Sequence, residues 1–306
     1  MTSLEGKRQT GVQNSGGEPK LSGPTVRRRR LGKKLRALRD AQRFTLEDVA
    51  EKSHGVFTVA KLSRLETARS AAKAADVEAL LDLYGAENAE LRGALLSLAR
   101  EGAQRGWWHS YRGVLSPVYE DLISLEHEAS SVRSWQMGVI PGLLQTAEYA
   151  REIITATAMS APVENLIDPL VEVRLARQVV LTRETPVELC AIIAEGALRA
   201  RCLGEGVMRD QLSRLLERSR RPNVTVQILP LDAPPHAGQM GSYSILSFEE
   251  QTDLDVVHVE SLASALYVEE AEHVGVYRDA FERLRTVALS PELSAERITQ
   301  IREETE

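Results

Sequence analysis

No lysine follows Lys73 in a chain that runs to residue 306. That absence removes several catalytic designs from everything beyond. A self-cleaving repressor needs a serine activated by a lysine base, and a Schiff-base enzyme needs a lysine amine. A phosphate-cradling P-loop also needs its lysine. The two cysteines, Cys190 and Cys202, supply neither a disulfide framework nor a thiolate metal cluster. A zinc peptidase needs two histidines on one helix face, as in H-E-x-x-H. Here His127-Glu128 is followed by Ala129, Ser130 and Ser131, so the second ligand is missing. His258 and Glu260 fall on one strand face and His236 in a glycine-flanked loop, a trio that forms a site only if the fold gathers it. No apolar run approaches the roughly 18 residues of a membrane span, and no signal-peptide pattern opens the chain. The expectations are no catalytic residues, no metal, no cofactor, no membrane, and a cytoplasmic, nucleoid-associated protein.

What is present is unevenly placed. Residues 1–110 hold 20 basic and 13 acidic side chains, net +7. Subtraction from the totals of 38 and 44 leaves 18 basic and 31 acidic, net −13, for residues 111–306. A basic head on an acidic body predicts that only the head approaches nucleic acid. The 43% hydrophobic content is enough for two cores. The expected divisions are a disordered tail at 1–25, rich in Gly and Ser, a helical head at 26–100, a linker at 101–110, and a body at 111–306.

The head is organised around Thr45–Glu66. Thr45 is a good N-cap, and Asp48 three residues on can return the hydrogen bond. Leu46, Val49 and Ala50 share a helical face. Gly55 is free to turn the chain. Thr58 caps a second helix, with Val59, Leu62 and Leu65 inward and Lys61, Ser63 and Arg64 outward. That is a helix-turn-helix, whose second helix enters the major groove of double-stranded DNA. Upstream, residues 26–43 hold nine basic side chains against one acid, Asp40. Helix N-termini favour negative charge, so this run costs helix stability, and a phosphate partner explains it better. The DNA-binding candidates are Thr45, Thr58, Val59, Lys61, Ser63 and Arg64, with Arg43, Arg69 and the run Arg27, Arg28, Arg29 and Arg30. Downstream, Asp76 is expected to cap a helix, and Gly85 to end it.

The residues Leu35, Arg36, Leu38, Arg39, then Phe44-Thr45, Glu47-Asp48-Val49-Ala50 and Leu62-Ser63-Arg64-Leu65-Glu66 resemble the XRE family of bacterial regulators, which is related to phage repressors. The resemblance implies an Arg39–Glu66 ion pair inside the head and a homodimer reading two half-sites. The chain departs from the family at Leu46, where glutamine is usual, at Ala68, where a capping glycine is usual, and in a longer turn between the two helices.

The body reads as mixed α+β. Helices are expected at 118–128, 146–157, 162–181, 207–220, 274–288 and 293–301. Strands are expected at 187–193, 224–229, 242–248, 255–260 and 265–268, with residues 129–136 extended. Trp107-Trp108 is expected to anchor the linker onto this domain. IPGLLQTAEYAR at 140–151, RPNVTVQILP at 221–230 and HAGQMGSYSIL at 236–246 resemble the second domain of actinobacterial XRE regulators. That resemblance implies an antitoxin-like regulator, often encoded beside a small partner protein. The expected function is a sequence-specific transcriptional regulator, not an enzyme, whose body mediates dimerisation and control by a protein partner or ligand. The alternative is a DNA-associated enzyme or a small-molecule sensor.

Overall fold

Thr25 Oγ1 accepts the Arg28 amide at 3.4 Å and opens α1, Val26–Ala41. The computed structural model describes residues 25–101, 106–111, 113–158, 165–248, 254–262 and 264–305. The expected tail therefore lies almost wholly outside the described residues. After α1 come α2, Leu46–Lys52, α3, Val59–Glu66, α4, Ala74–Leu83, and α5, Ala89–Glu101. Leu35, Val49, Leu62, Val77, Leu81 and Leu95 meet in one core between them. The helix ends follow local chemistry. Thr45 Oγ1 accepts the Asp48 amide at 3.1 Å and Asp48 Oδ2 accepts the Thr45 amide at 2.7 Å, a closed capping box. Thr58 Oγ1 accepts the Lys61 amide at 3.2 Å and caps α3.

Asp76 does not cap α4. That helix begins two residues earlier, and Asp76, in its first turn, takes the Lys61 ammonium at 2.8 Å. The longer turn between α2 and α3 closes on His54 at φ 49° and Gly55 at φ 86°. Ala68, where the XRE pattern has glycine, sits at φ 58°, a left-handed conformation that costs a residue with a Cβ about 1 kcal/mol.

The body is built on one six-stranded sheet. Its strands are β1, Ser131–Gln136, β2, Glu188–Ala194, β3, Val224–Leu229, β4, Tyr243–Ser247, β5, Val256–Glu260, and β6, Ala265–Val268. Their order is β3-β2-β1-β4-β5-β6. The β3-β2-β1 half is parallel and the β1-β4-β5-β6 half antiparallel. Parallel neighbours need crossovers. The chain supplies them as α7, Ala147–Thr157, and α8, Ile167–Arg177, between β1 and β2. A short α9, Glu195–Leu198, and α10, Val207–Arg218, run between β2 and β3. Before β1 lies α6, Pro117–Glu128. The chain closes with α11, Ala271–Val287, and α12, Pro291–Glu304.

Alternation along the strands sorts the core into two layers. Val132, Leu189, Ala191, Val226 and Leu246 pack with Tyr149, Leu212, Leu215 and Ile298 on one face. Trp135, Ile192, Ile245 and Val257 pack with Phe281 and Leu284 on the other. Trp108 is buried with Leu115, Ile123 and Val173, which fixes the chain entering the body.

One glycine sets the spacing of the head. A Cβ on Gly32 of α1 would lie 2.6 Å from the Glu66 carbonyl oxygen and 2.7 Å from that of Leu65. Both are backbone atoms at the end of α3, so no rotamer can relieve the clash. Gly32→Ala is expected to lower stability by about 1–3 kcal/mol in chemical denaturation, the usual cost of overpacking.

Candidate nucleic-acid interface

The outward side of α3 is set by its inward side. Leu62 and Leu65 are buried, which turns Arg64 to solvent and leaves Val59 and Ser63 half-exposed. Thr58 is exposed at the helix start, and Arg69 is exposed just beyond the helix. The Arg64 carbonyl accepts the Arg69 amide at 2.8 Å, which ties the loop to the last turn. Arg43 and Thr45 are exposed at the start of α2, Arg43 with φ 57°. The hydroxyls of Thr45 and Thr58 are both used as caps. Lys61 is held sideways, by Asp76 and by the Phe57 ring 4.7 Å from its ammonium.

Arg39 and Glu66 face each other inside the head. Arg39 Nε and Nη2 donate to the two Glu66 oxygens at 2.7 and 2.8 Å, and Nη1 donates to the Phe44 carbonyl at 2.7 Å. Arg39 is 8% exposed. The Glu66 hydrogen bond, more than any other influence, raises the Arg39 pKa above its ordinary value. A forked, charge-assisted contact of this kind fixes α1 against the end of α3.

The basic run at the start of α1 has a different setting from the one its sequence suggests. Val26 is buried in the body core, so the first turns of α1 lie against the body. Arg27 pairs with Glu128 of α6. Arg29 Nε donates to Glu269 at 3.0 Å, and Lys33 Nζ donates to Glu270 at 2.8 Å. Arg30 is 4% exposed, with its guanidinium 3.9 Å from the centre of the Phe248 ring. Burial lowers its pKa to about 10, against the pull of Glu269 and Asp255. In return, Leu254 of the body joins the head core. Of the four arginines placed on DNA by sequence, Arg27, Arg29 and Arg30 thus face acidic or aromatic partners of their own chain. Arg28 is half-buried beside them. The physical reason is that the complementary negative surface is covalently attached.

One carboxylate in this contact does a second job. Asp121 of α6 accepts the Val26 amide at 3.3 Å, at the first residue of α1. No acid lies in the first turn of α1. The body therefore supplies the negative charge that a helix N-terminus favours. Burial pushes the Asp121 pKa up to about 6, opposed by the Val26 amide. Nothing local in the sequence signals Asp121, Glu128, Glu269 or Glu270. The acidic excess of the body was read only as keeping it away from nucleic acid.

The histidines do not gather. His236 lies edge-on to Trp135, ring centres 5.7 Å apart, on one face of the sheet. His258 shares the opposite face with Ser134 and Ser244. Among the described residues no group of three His, Cys, Asp or Glu could hold a metal ion, and no helix is long and apolar enough to cross a membrane.

These features define a class, a helix-turn-helix head joined to a mixed α+β body. A helix-turn-helix domain family matches residues 30–95. A second family, described as a domain of unknown function (DUF5753), matches residues 119–300, more than half of the chain, and the protein belongs to that family. No curated protein and no solved structure matches the chain.

Truncating Glu66 would leave the buried Arg39 guanidinium with only the exposed Asp40 carboxylate, 2.8 Å from Nη1, and the Phe44 carbonyl. Glu66→Ala is expected to cost about 3 kcal/mol, read as a lower midpoint of chemical denaturation. An unchanged midpoint would mean that the pair does not support the head.

Proposed function

We propose that this protein is a sequence-specific transcriptional regulator that binds double-stranded DNA as a homodimer. The observation that carries this reading is the exposed edge of α3, where Thr58, Ser63 and Arg64 face outward beside Arg69. It lies within the region matched by the helix-turn-helix family. In this reading α3 enters the major groove, and Arg64 offers two parallel donors to a guanine edge. In this reading Val59, at the start of α3, meets a thymine methyl. Arg43 and Arg69 flank the helix and hold phosphates. Thr45 and Thr58 present helix N-termini, which favour phosphate oxygens. One head offers a small interface, so two heads read half-sites about one helical turn apart.

The body, in this reading, controls the head by binding and not by chemistry. Its docking contact with α1 is the route, because a partner changes DNA affinity only by preferring one arrangement of the regulator over another. The resemblance to antitoxin-like XRE regulators of actinobacteria supports a cytoplasmic, nucleoid-associated protein. It also supports a small protein encoded nearby as one partner. A cavity lined by Tyr119, Arg174 and His258 favours a second kind of control, by a small molecule.

Replacing Arg64 separates base reading from phosphate holding. Arg64→Ala is expected to relax preference at one position per half-site, worth about 1–3 kcal/mol, when binding is measured over a randomised duplex library. Equal weakening on every sequence would place Arg64 on phosphate only.

A further inference from the structure

One row of side chains breaks the apolar pattern of the sheet. Ser134 of β1, Ser244 of β4, His258 of β5 and Tyr267 of β6 stand in register across four strands. The next row on the same face is Val132, Leu246 and Val256, all buried and apolar. Ser134 Oγ lies 3.0 Å from Ser244 Oγ, and Gln136 Nε2 donates to Ser134 Oγ at 3.1 Å. His258 is 7% exposed. Its ring lies 5.1 Å from that of Tyr267, and its nitrogens have no hydrogen-bond partner among the described residues. Burial, and then the charge of Arg177, push the His258 pKa down to about 4, so the ring is neutral at pH 7 and offers one donor and one acceptor.

Above this row is a cavity of about 390 Å³, in the range that holds small ligands. Two arginines line it, and they differ. Arg177 is spent: Nε and Nη2 donate to Glu126 at 2.8 and 2.6 Å, and Nη1 donates to the Tyr119 hydroxyl at 2.5 Å. Arg174 pairs with no carboxylate among the described residues. Its Nη1 donates to Gln145 Oε1 at 3.1 Å, and its Nε is buried without a partner. Gln145 is itself fixed, since its Nε2 donates to the Ile140 carbonyl at 2.8 Å. Arg174 is therefore a positioned cation with its charge uncompensated. Ile140, Pro141 and Leu143 give the cavity an apolar side. Glu260, at the rim, is exposed, and solvent screens it.

We propose that this cavity is a binding site for a small organic carboxylate. The carboxylate pairs with Arg174, the polar row at Ser244 and His258 fixes the orientation, and the apolar part packs against Ile140, Pro141 and Leu143. The site also touches the head contact. One side of α6, through Tyr119, Leu122 and Glu126, lines the cavity. The other side, through Asp121 and Glu128, holds the first residues of α1. Tyr267 donates to the Val118 carbonyl at 2.6 Å and ties the polar row to the same helix. Transmission to DNA affinity rests on the regulator reading above, whereas occupancy of the cavity does not.

The test is calorimetric titration of the full chain with benzoate, phenylacetate and indole-3-acetate, each beside its uncharged amide. At least one acid is expected to bind, about tenfold or more tightly than its amide. Arg174→Gln should weaken that acid by a similar factor, and Arg174→Lys should restore part of the loss, with both variants checked for unchanged melting. His258→Asn should weaken the acid while leaving its preference over the amide. No binding by any acid, equal binding of acid and amide, or unchanged binding to Arg174→Gln would each overturn the site. If Arg174→Gln fails to fold, Arg174→Lys and His258→Asn decide by the same comparison. An acid that binds with these dependences but leaves DNA affinity unchanged would support the site and count against control through α6.

Discussion

The start of α1 has four backbone amides to satisfy, four arginines among its first five residues, and no acid in its first turn. Left alone, such a terminus repels itself. The body resolves this by presenting Asp121, Glu128, Glu269 and Glu270 to it. The position of the head follows from that contact. Val26 is drawn into the body core, Arg30 lies over Phe248, and Leu254 of the body is received by the head core. The opposite net charges of head and body therefore meet inside one chain.

The arrangement divides the basic side chains of the head into two groups. Arg27, Arg29, Arg30 and Lys33 are engaged by the body. Arg43, Arg64 and Arg69 remain exposed around α2 and α3. The second group lies beside the helix that the helix-turn-helix geometry directs to the major groove. An exposed ion pair such as Lys33 with Glu270 contributes little, but Glu128 and Glu269 are largely buried. Shifting α1 would leave them without partners, so the contact favours one discrete arrangement over gradual drift.

Much of this was legible in the sequence because the signals were local. Thr45 with Asp48 and Thr58 announce helix starts, and Leu62 and Leu65 announce which side is buried. Alternation gave the strands at 224–229 and 256–260 within a residue or two. What was not legible is relational. The sheet order, and hence the row from Ser134 to Tyr267, depends on pairings between strands more than a hundred residues apart. Charge counting found the basic run but not its partner, since the acids that receive it come from two segments nearly 150 residues apart. His236, His258 and Glu260 could form a site only if the fold gathered them, which sequence alone does not decide. The pleat of β1 turns Trp135, against which His236 lies, and Ser134, in register with His258, to opposite faces.

The central claim is that Arg27, Arg29 and Arg30, at the start of α1, are held by the body. Phosphate contacts leave a direct trace, because each one neutralised steepens the fall of log K with log salt by about 0.9. The decisive measurement is that slope for the full chain on a nonspecific duplex, compared with the Arg27→Gln/Arg29→Gln double variant. The account predicts equal slopes. A slope shallower by nearly 2 in the double variant, about 0.9 for each arginine removed, would put these side chains on phosphate and contradict it.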